Sequence, residues 1–195
     1  MTPEQLIQQL ASGDDDALRE LYGVFSKKIY NTCLAYLQVE SDAEEAMQDV
    51  FVEVYRSVTE FNAKASVNTW IYRIAVNKCL DRIRYNKRQK RFAFISSLFS
   101  KDTGAIQFDQ PNFNHPGVLL ENKEKSAVLF KAINQLPENQ RMAFILKHVE
   151  GLSQKEIAEI INIGEKAVES LLQRAKGSLR KLLSDFYDKT EGKNK

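Results

Sequence analysis

Apolar residues recur at spacings of three and four along nearly the whole chain, and no stretch alternates as a β-strand does. One predicted helix face consists of Ala46, Val50, Val54 and Val58. The segments that begin at Ser41 and Ser153 carry a Glu three residues later, which matches the capping box at a helix N-terminus. The sequence therefore predicts an all-α protein.

The periodicity stops between residues 92 and 121, a segment with two of the four prolines and two of the eight glycines. A segment of about 30 residues without a helical pattern is longer than an ordinary connection in a compact domain. We therefore expect two small helical domains, residues 1–91 and 122–187, joined by a flexible linker at 92–121. A polar tail follows at 188–195.

Charge is distributed unevenly along the chain, although the net charge is only +2. Residues 1–60 hold four Lys or Arg and twelve Asp or Glu, whereas residues 61–101 hold ten and one. This asymmetry favours a polyanion as the partner of the basic block and a basic protein surface as the partner of the acidic one. The alternative is that the two blocks face each other within one domain.

The basic block contains a helix with two opposed faces, from Trp70 to Arg91. Its apolar face consists of Ile71, Tyr72, Ala75, Val76, Cys79, Leu80 and Ile83. Its polar face consists of Trp70, Arg73, Asn77, Arg84 and Arg88. Such side chains can stack on bases, hydrogen-bond base edges and hold phosphates. For this helix alone, a solvated face with a core tryptophan at its end explains the pattern as well as nucleic-acid binding does.

Residues 153–173 have the spacing of a helix-turn-helix: a capped short helix, a turn of about three residues and a second helix. Asn162 tolerates the left-handed turn, and Gly164 is an acceptable N-cap. The early exposed positions of the second helix are Glu165, Lys166, Glu169, Ser170, Gln173, Arg174 and Lys176. These side chains favour DNA binding over the alternative, an ordinary helical hairpin.

Three segments together resemble bacterial RNA polymerase sigma factors of the extracytoplasmic-function (ECF) group. They read DAEEAMQDVFVEVYRSVTEF, NTWIYRIAVNKCLDRIR and LPENQRMAFILKHVEGLSQKEIAEIINIGEKAVESLLQRAKGSLRKLL. The resemblance covers residues 14–91 and 122–183. It implies a sigma region 2 domain, a sigma region 4 domain, and a protein that binds core polymerase and directs promoter-specific initiation, including melting.

The resemblance also implies which residues make the contacts. Docking on the clamp coiled coil would use Asp42, Glu45, Gln48 and Asp49. Capture of a flipped minus-ten base would use Asn62, Lys64, Ser66 and Asn68. Contacts with the melted strand or its upstream duplex edge would use Trp70, Arg73, Asn77 and Lys78. From the basic character of the same helix we expect Arg84 and Arg88 to hold phosphates of the duplex. The minus-thirty-five element would be read by Lys155, Glu165, Lys166, Glu169, Ser170, Gln173, Arg174 and Lys176. The family often has basic residues at Glu169 and Leu171, so this recognition helix is less basic than usual.

Other classes of function find little support. Cys33 and Cys79 stand alone, and the two histidines are isolated, so we expect no metal site and no cofactor. We find no phosphate loop or paired nucleophile and base, so an enzyme is not expected. The acidic N-terminus and the absence of an apolar run of about 20 residues predict a cytoplasmic protein without membrane insertion. We expect core polymerase (clamp and flap), promoter DNA and a separate anti-sigma factor as partners. The alternatives are a stand-alone helix-turn-helix regulator and a non-DNA-binding sigma mimic.

Overall fold

The computed structural model describes residues 1–99 and 123–191, with side chains for residues 1–92 and 126–184. Within these residues the chain is helical and contains no strand. The first group of helices is α1 (Pro3–Ala11), α2 (Asp16–Leu37), α3 (Glu40–Ser57) and α4 (Val67–Phe99), with a 3-10 turn at Val58–Glu60. The second group is α5 (Lys123–Asn134), α6 (Glu138–His148), α7 (Gln154–Ile161) and α8 (Glu165–Glu191). The all-α prediction is confirmed.

Local hydrogen bonds explain where several helices begin. Thr2 Oγ1 accepts from the Gln5 backbone N–H at 3.3 Å, and Gln5 Oε1 accepts from the Thr2 N–H at 2.9 Å, which forms a capping box for α1. The box predicted at Ser41 is wrong. Helix α3 begins at Glu40 after an extended Val39, and no side chain caps it. The turn between α2 and α3 is set instead by Gln38, whose left-handed φ of 58° ends α2.

Helices α2, α3 and α4 pack together around the larger part of the core. The predicted stripe of α3, Ala46 to Val58, is buried as expected. The apolar face of α4 is also buried, apart from a half-buried Ile83. The spacing of three and four residues predicts Tyr22 on the inner stripe of α2 with Leu21 and Phe25, but 43% of its surface is exposed. Its ring instead lies on Phe51 of α3, with the ring centroids 4.7 Å apart.

Helix α4 is longer than the sequence predicts. It continues through Phe99, into the segment assigned to the linker. The rest of the predicted linker, residues 100–121, lies outside the described residues, as does the tail after Glu191. The boundaries of the two domains therefore stay a prediction.

The second group of helices follows the sequence signals closely. Ser153 and Glu156 form the predicted capping box of α7, with both backbone N–H groups satisfied. Gly151 (φ 71°) and Asn162 (φ 55°) adopt the expected left-handed conformation. A proline favours the first turn of a helix, but Pro137 lies one position before α6, as its N-cap. The spacing of three and four residues predicts Ala127 on the inner stripe of α5 with Phe130, but Ala127 is exposed.

The two groups of helices pack against each other, α4 on α7 and α2 on α6. Two hydrogen bonds tie α2 and its end to the second group. Gln38 Nε2 donates to the Phe130 carbonyl at 2.7 Å, and the Tyr36 hydroxyl donates to the Met142 carbonyl at 3.3 Å. Both side chains are buried. The structure is therefore a closed arrangement of the two groups of helices.

Candidate functional site

The four acidic and amide residues predicted on α3 do not act as one surface. Arg82 of α4 holds Asp42 and Glu45 together, donating to Asp42 Oδ1 at 2.7 and 2.9 Å and to Glu45 at 2.5 and 2.8 Å. Asn86 Nδ2 also donates to Asp42, at 2.9 Å, so both oxygens of that carboxylate are engaged by its own chain. Gln48 and Asp49 are exposed, and neither forms a side-chain hydrogen bond within the described part of the chain.

An apolar groove runs between α2 and α3 beside Gln48. It has a volume of about 730 Å³. Its lining includes Leu18, Tyr22, Phe51, Val52 and Tyr55. Val52 and Tyr55 are 46% and 48% exposed. An apolar patch that stays exposed on a folded domain is typical of a surface that meets another macromolecule. The groove was not predicted from the sequence. It could have been suspected because Val52 and Tyr55 are apolar but lie outside the buried stripe of α3.

The segment between α3 and α4 is shaped by short-range hydrogen bonds. Asn62 Oδ1 accepts from the Lys64 N–H at 3.2 Å, and Ala63 between them has a φ of 55°. Ser66 precedes α4, and its Oγ accepts from the Thr69 N–H at 3.1 Å. The side chains of Asn62 and Ser66 therefore hold the loop conformation, while Lys64 remains exposed without a local partner among the described residues. A non-glycine residue at positive φ is a strained feature that often accompanies a functional loop.

A pocket of about 470 Å³ lies between this loop and α1. It is lined by Glu4, Ile7, Gln8, Ala11, Val58, Thr59, Phe61, Ala63, Lys64, Ala65 and Ser66. Its volume is within the range of small-ligand sites, and it combines an apolar floor with a polar rim. Of the four residues predicted to capture a base, Lys64 and Ser66 line the pocket, whereas Asn62 and the half-buried Asn68 do not.

The polar face of α4 is divided among several partners. Trp70 is half-buried and packs on Phe61, with the ring centroids 5.1 Å apart. Lys78 pairs with Glu53 at 2.9 Å, and this hydrogen bond lowers the pKa of that carboxyl. Arg84 lies 3.4 Å from Asp81 and 3.6 Å from Glu138 of α6. Asn77 is exposed.

Arg73 is held by the second group of helices. Its guanidinium donates to the Glu159 carbonyl of α7 at 2.6 Å, and its Nε is buried without a hydrogen-bond partner among the described residues. Beside it, the Tyr72 hydroxyl donates to Glu150 Oε2 at 2.8 Å. Burial raises the pKa of Glu150, against the opposing hydrogen bonds from Tyr72 and Thr32. In the closed arrangement a predicted DNA contact is thus occupied by the chain itself.

The helix-turn-helix presents its polar residues freely. A three-residue turn, Asn162 to Gly164, separates α7 from α8. The exposed set comprises Lys155, Glu165, Lys166, Glu169, Ser170, Gln173, Arg174 and Lys176. None of them forms an ion pair or a side-chain hydrogen bond within residues 1–99 and 123–191. The N-terminal half of α8 is therefore available to enter a groove.

Two family descriptions match these two groups of helices. Residues 21–89 match sigma-70 region 2, and residues 126–179 match sigma-70 region 4. The ECF RNA polymerase sigma factor SigW of Bacillus subtilis is 32% identical over 190 residues, which span 95% of this chain and 99% of SigW. The chain belongs to the ECF RNA polymerase sigma factors. It is accordingly a sigma factor that directs RNA polymerase to promoters.

More distant relatives of this sigma factor agree. The ECF sigma-E factor of Escherichia coli is 26% identical over 182 residues, covering 92% of this chain and 93% of that protein. The fold is shared with the structure of CnrH in complex with the cytosolic domain of CnrY, with a TM-score of 0.68, 22% identity and coverage of 92% and 96%. It is also shared with the complex of the sigma factor RpoE and the anti-sigma factor NepR from Bartonella quintana, with a TM-score of 0.61, 20% identity and coverage of 85% and 96%.

The described residues were searched for a membrane-spanning helix and for a cluster of metal ligands. There, no helix is both long and apolar enough to span a bilayer. No group of three His, Cys, Asp or Glu side chains stands close enough to hold a metal ion in the same ranges. Cys33 and Cys79 are buried thiols, and the hydrogen bond between them, together with burial, raises the pKa of Cys79.

Proposed function

We propose that this sigma factor docks on the polymerase clamp coiled coil through Gln48, Asp49 and the apolar groove beside them. Asp42 and Glu45 were the other predicted contacts, but Arg82 already uses their oxygens to hold α3 on α4. The amide of Gln48 lines about 730 Å³ of apolar groove, and the exposed carboxylate of Asp49 follows it on α3, so this helix supplies both a polar and a hydrophobic component of an interface.

In promoter melting, the pocket between α1 and residues 58–66 receives a base that has left the duplex. Its apolar floor suits the faces of a base, and its polar rim suits the edge. Unstacking a base costs about a few kcal/mol per step, and stacking contacts return about 1–3 kcal/mol per base. This pocket, at the N-terminal end of the basic helix α4, is the observation that carries the proposal. Asn77 and Lys64 would hold the melted strand beside it, and Arg88 would hold phosphates of the duplex.

The helix-turn-helix reads the minus-thirty-five element, with α8 in the major groove. Ser170 and Gln173 are exposed early in this helix and can hydrogen-bond base edges, whereas Lys155, Arg174 and Lys176 suit phosphates. Glu165 and Glu169 reduce the positive charge of the same face. We therefore expect this domain alone to bind duplex weakly.

The closed arrangement is the form of the free protein in this proposal. Arg73 cannot reach DNA while it is bonded to the Glu159 carbonyl, so the two groups of helices must separate when polymerase binds. The flap is the partner we propose for the second domain on polymerase. Because a structural relative was solved with an anti-sigma factor, a separate anti-sigma partner of this chain is part of the proposal.

Run-off transcription with purified core polymerase on a promoter library tests this function. We expect initiation from a specific set of sites. Asn77→Ala should reduce permanganate-detected melting several-fold and leave core binding unchanged, whereas Asn139→Ala, an exposed asparagine on α6, should alter neither. Absence of specific initiation would contradict the proposal. Duplex binding without polymerase would then favour a stand-alone regulator.

A further inference from the structure

A cleft of about 310 Å³ lies where the two groups of helices meet, with α2 and α4 on one side and α5 and α6 on the other. This volume is at the lower end of the range for small-ligand sites. Apolar side chains in its lining are Leu37, Ile83 and Leu136. Its basic side chains are Lys87 and Lys90 of α4 and Arg141 of α6. Because both groups contribute to the lining, the cleft is complete only in the closed arrangement.

Arg141 is a buried cation without a matching anion. Its side chain is only 6% exposed, and it forms no ion pair with any carboxylate that the structure describes. Nη1 donates to a neutral acceptor, Asn134 Oδ1, while Nε is buried without a hydrogen-bond partner among the described residues. A guanidinium is costly to bury unless an anion pairs with it. Arg141 therefore lines the cleft with hydrogen-bonding capacity and charge that its own chain leaves unused.

The face of α4 that packs inward turns basic at the cleft. It is apolar through Leu80 and Ile83, and Lys87 and Lys90 continue it at spacings of four and three residues. The exposed amine of Lys87 forms no ion pair or side-chain hydrogen bond with the residues described. Among these residues, Glu138 is the one carboxylate in the lining, and Arg84 lies 3.6 Å from it.

The lining therefore favours an anion with an organic body. Three cations and one carboxylate leave a formal charge of +2 in the cleft. A phosphate monoester carries a charge of about −1.5 to −2 at pH 7, which balances this excess. The fork of a guanidinium fits phosphate oxygens, and the apolar side chains suit the group that the phosphate esterifies.

We propose that this cleft binds a small phosphate monoester, which holds the sigma factor closed. A ligand that contacts Lys87 on one group of helices and Arg141 on the other binds only the closed form, so mass action shifts the population towards that form. Closure keeps Arg73 on the Glu159 carbonyl, and the ligand thereby opposes promoter opening. Only this inhibitory consequence rests on the proposed function; the binding site and its effect on closure do not.

The first test measures binding of phenyl phosphate to the full-length chain by calorimetry, with phenol as the ligand that lacks the phosphate. The proteins are wild type, Lys87→Ala, Arg141→Lys and, as a matched control, Lys27→Ala at an exposed lysine of α2 outside the cleft. We expect one saturable site in wild type and Lys27→Ala, and no binding of phenol. Lys87→Ala and Arg141→Lys should each weaken binding by about tenfold or more, because each loses a charge-assisted contact or the guanidinium fork. If Arg141→Lys does not fold, Lys87→Ala, at an exposed position, decides the test.

The second test measures closure by single-molecule energy transfer between dyes on Glu20→Cys and Arg180→Cys, one in each group of helices and both exposed. At phenyl phosphate concentrations of about ten times its Kd, the ratio of closed to open wild type should rise by about tenfold. The same concentration should leave this ratio unchanged in Lys87→Ala.

Absence of saturable binding, equal affinities of wild type and Lys87→Ala, or binding that leaves the closed population unchanged would overturn the inference. It would also be overturned if phenyl phosphate did not bind but a Glu-rich peptide bound with the same dependence on Lys87, since the cleft would then be a contact for an acidic protein. Neither test contains polymerase or promoter DNA. Failure of wild type to initiate transcription would therefore overturn the proposed function and leave the ligand site standing.

Discussion

Removing one hydroxyl should open the closed arrangement. The Tyr72 hydroxyl on α4 donates to Glu150 Oε2 on the other group of helices at 2.8 Å. Tyr72→Phe keeps the buried ring, which is 2% exposed, and deletes only this contact across the interface. In the wild type, Glu150 Oε1 already lacks a hydrogen-bond partner among the described residues. The substitution also removes the Tyr72 donor from Glu150 Oε2.

The size of the effect follows from the partner's charge. A hydrogen bond to a charged group contributes about 1.5–3 kcal/mol, and each 1.4 kcal/mol is about a tenfold change in an equilibrium constant. The ratio of open to closed protein should therefore rise by about 10- to 100-fold. The substitution keeps the buried ring of Tyr72 on α4, so the free energy of unfolding of the first group of helices should change less than the closure equilibrium does.

Single-molecule energy transfer measures this ratio. Dyes on Glu20→Cys and Arg180→Cys report the separation of the two groups of helices, and both positions are exposed. Cys33 and Cys79 are fully buried and escape mild labelling. Tyr55→Phe removes a hydroxyl from an exposed tyrosine, 48% accessible, and serves as the matched control. Equal closed fractions in wild type and Tyr72→Phe would refute the reasoning.

Two more predictions use the same protein preparations. Burial raises the pKa of Glu150 above its ordinary value of 4.5 in the closed form, so closure gains stability that is fully present below pH 4.5 and is lost as pH rises through the raised pKa. The closed fraction should therefore increase as pH falls from 7 towards 5, and Glu150→Gln should remove that dependence; a fraction that falls on acidification would contradict this cause. Val52→Glu places a charge in the apolar groove and should weaken core-polymerase binding by about tenfold in a competition assay. Val24→Glu, at an equally exposed valine outside the groove, should not, and equal affinities of the two variants would exclude the groove as the docking surface.

The helix-turn-helix shows how well local signals predict local structure. The capping box at Ser153, the left-handed Asn162 and the exposed face of α8 were all readable from the sequence. Each depends on groups within four residues of one another, so the sequence contains all of the interacting partners. Where the same kind of signal failed, at Ser41, the neighbouring turn at Gln38 placed the helix start two residues earlier, with Val39 rather than Ser41 as the N-cap.

The candidate site was predictable as a set of surfaces but not as a set of contacts. The helical periodicity places the α3 carboxylates and the polar stripe of α4 away from the apolar faces. It does not predict that Arg82 pairs with Asp42, because these residues are 40 positions apart in the chain. The pocket was predicted from its loop side alone. The contribution of α1 to this pocket was not predicted, because the apolar pattern of a nine-residue helix does not indicate which neighbour the helix will pack against.

The sequence by itself determined the class of fold, the boundaries of α7 and the start of α8, and the sigma-factor family. These properties depend on periodicity, on capping within one turn, and on motifs that are contiguous in the chain. Only the tertiary structure decided that Arg73 is bonded to α7, that Asp42 and Glu45 pair with Arg82, and that Glu4 and Gln8 line the pocket beside residues 58–66. Those outcomes depend on how amphipathic helices choose among several compatible partners, and that choice is made by packing and desolvation between distant residues.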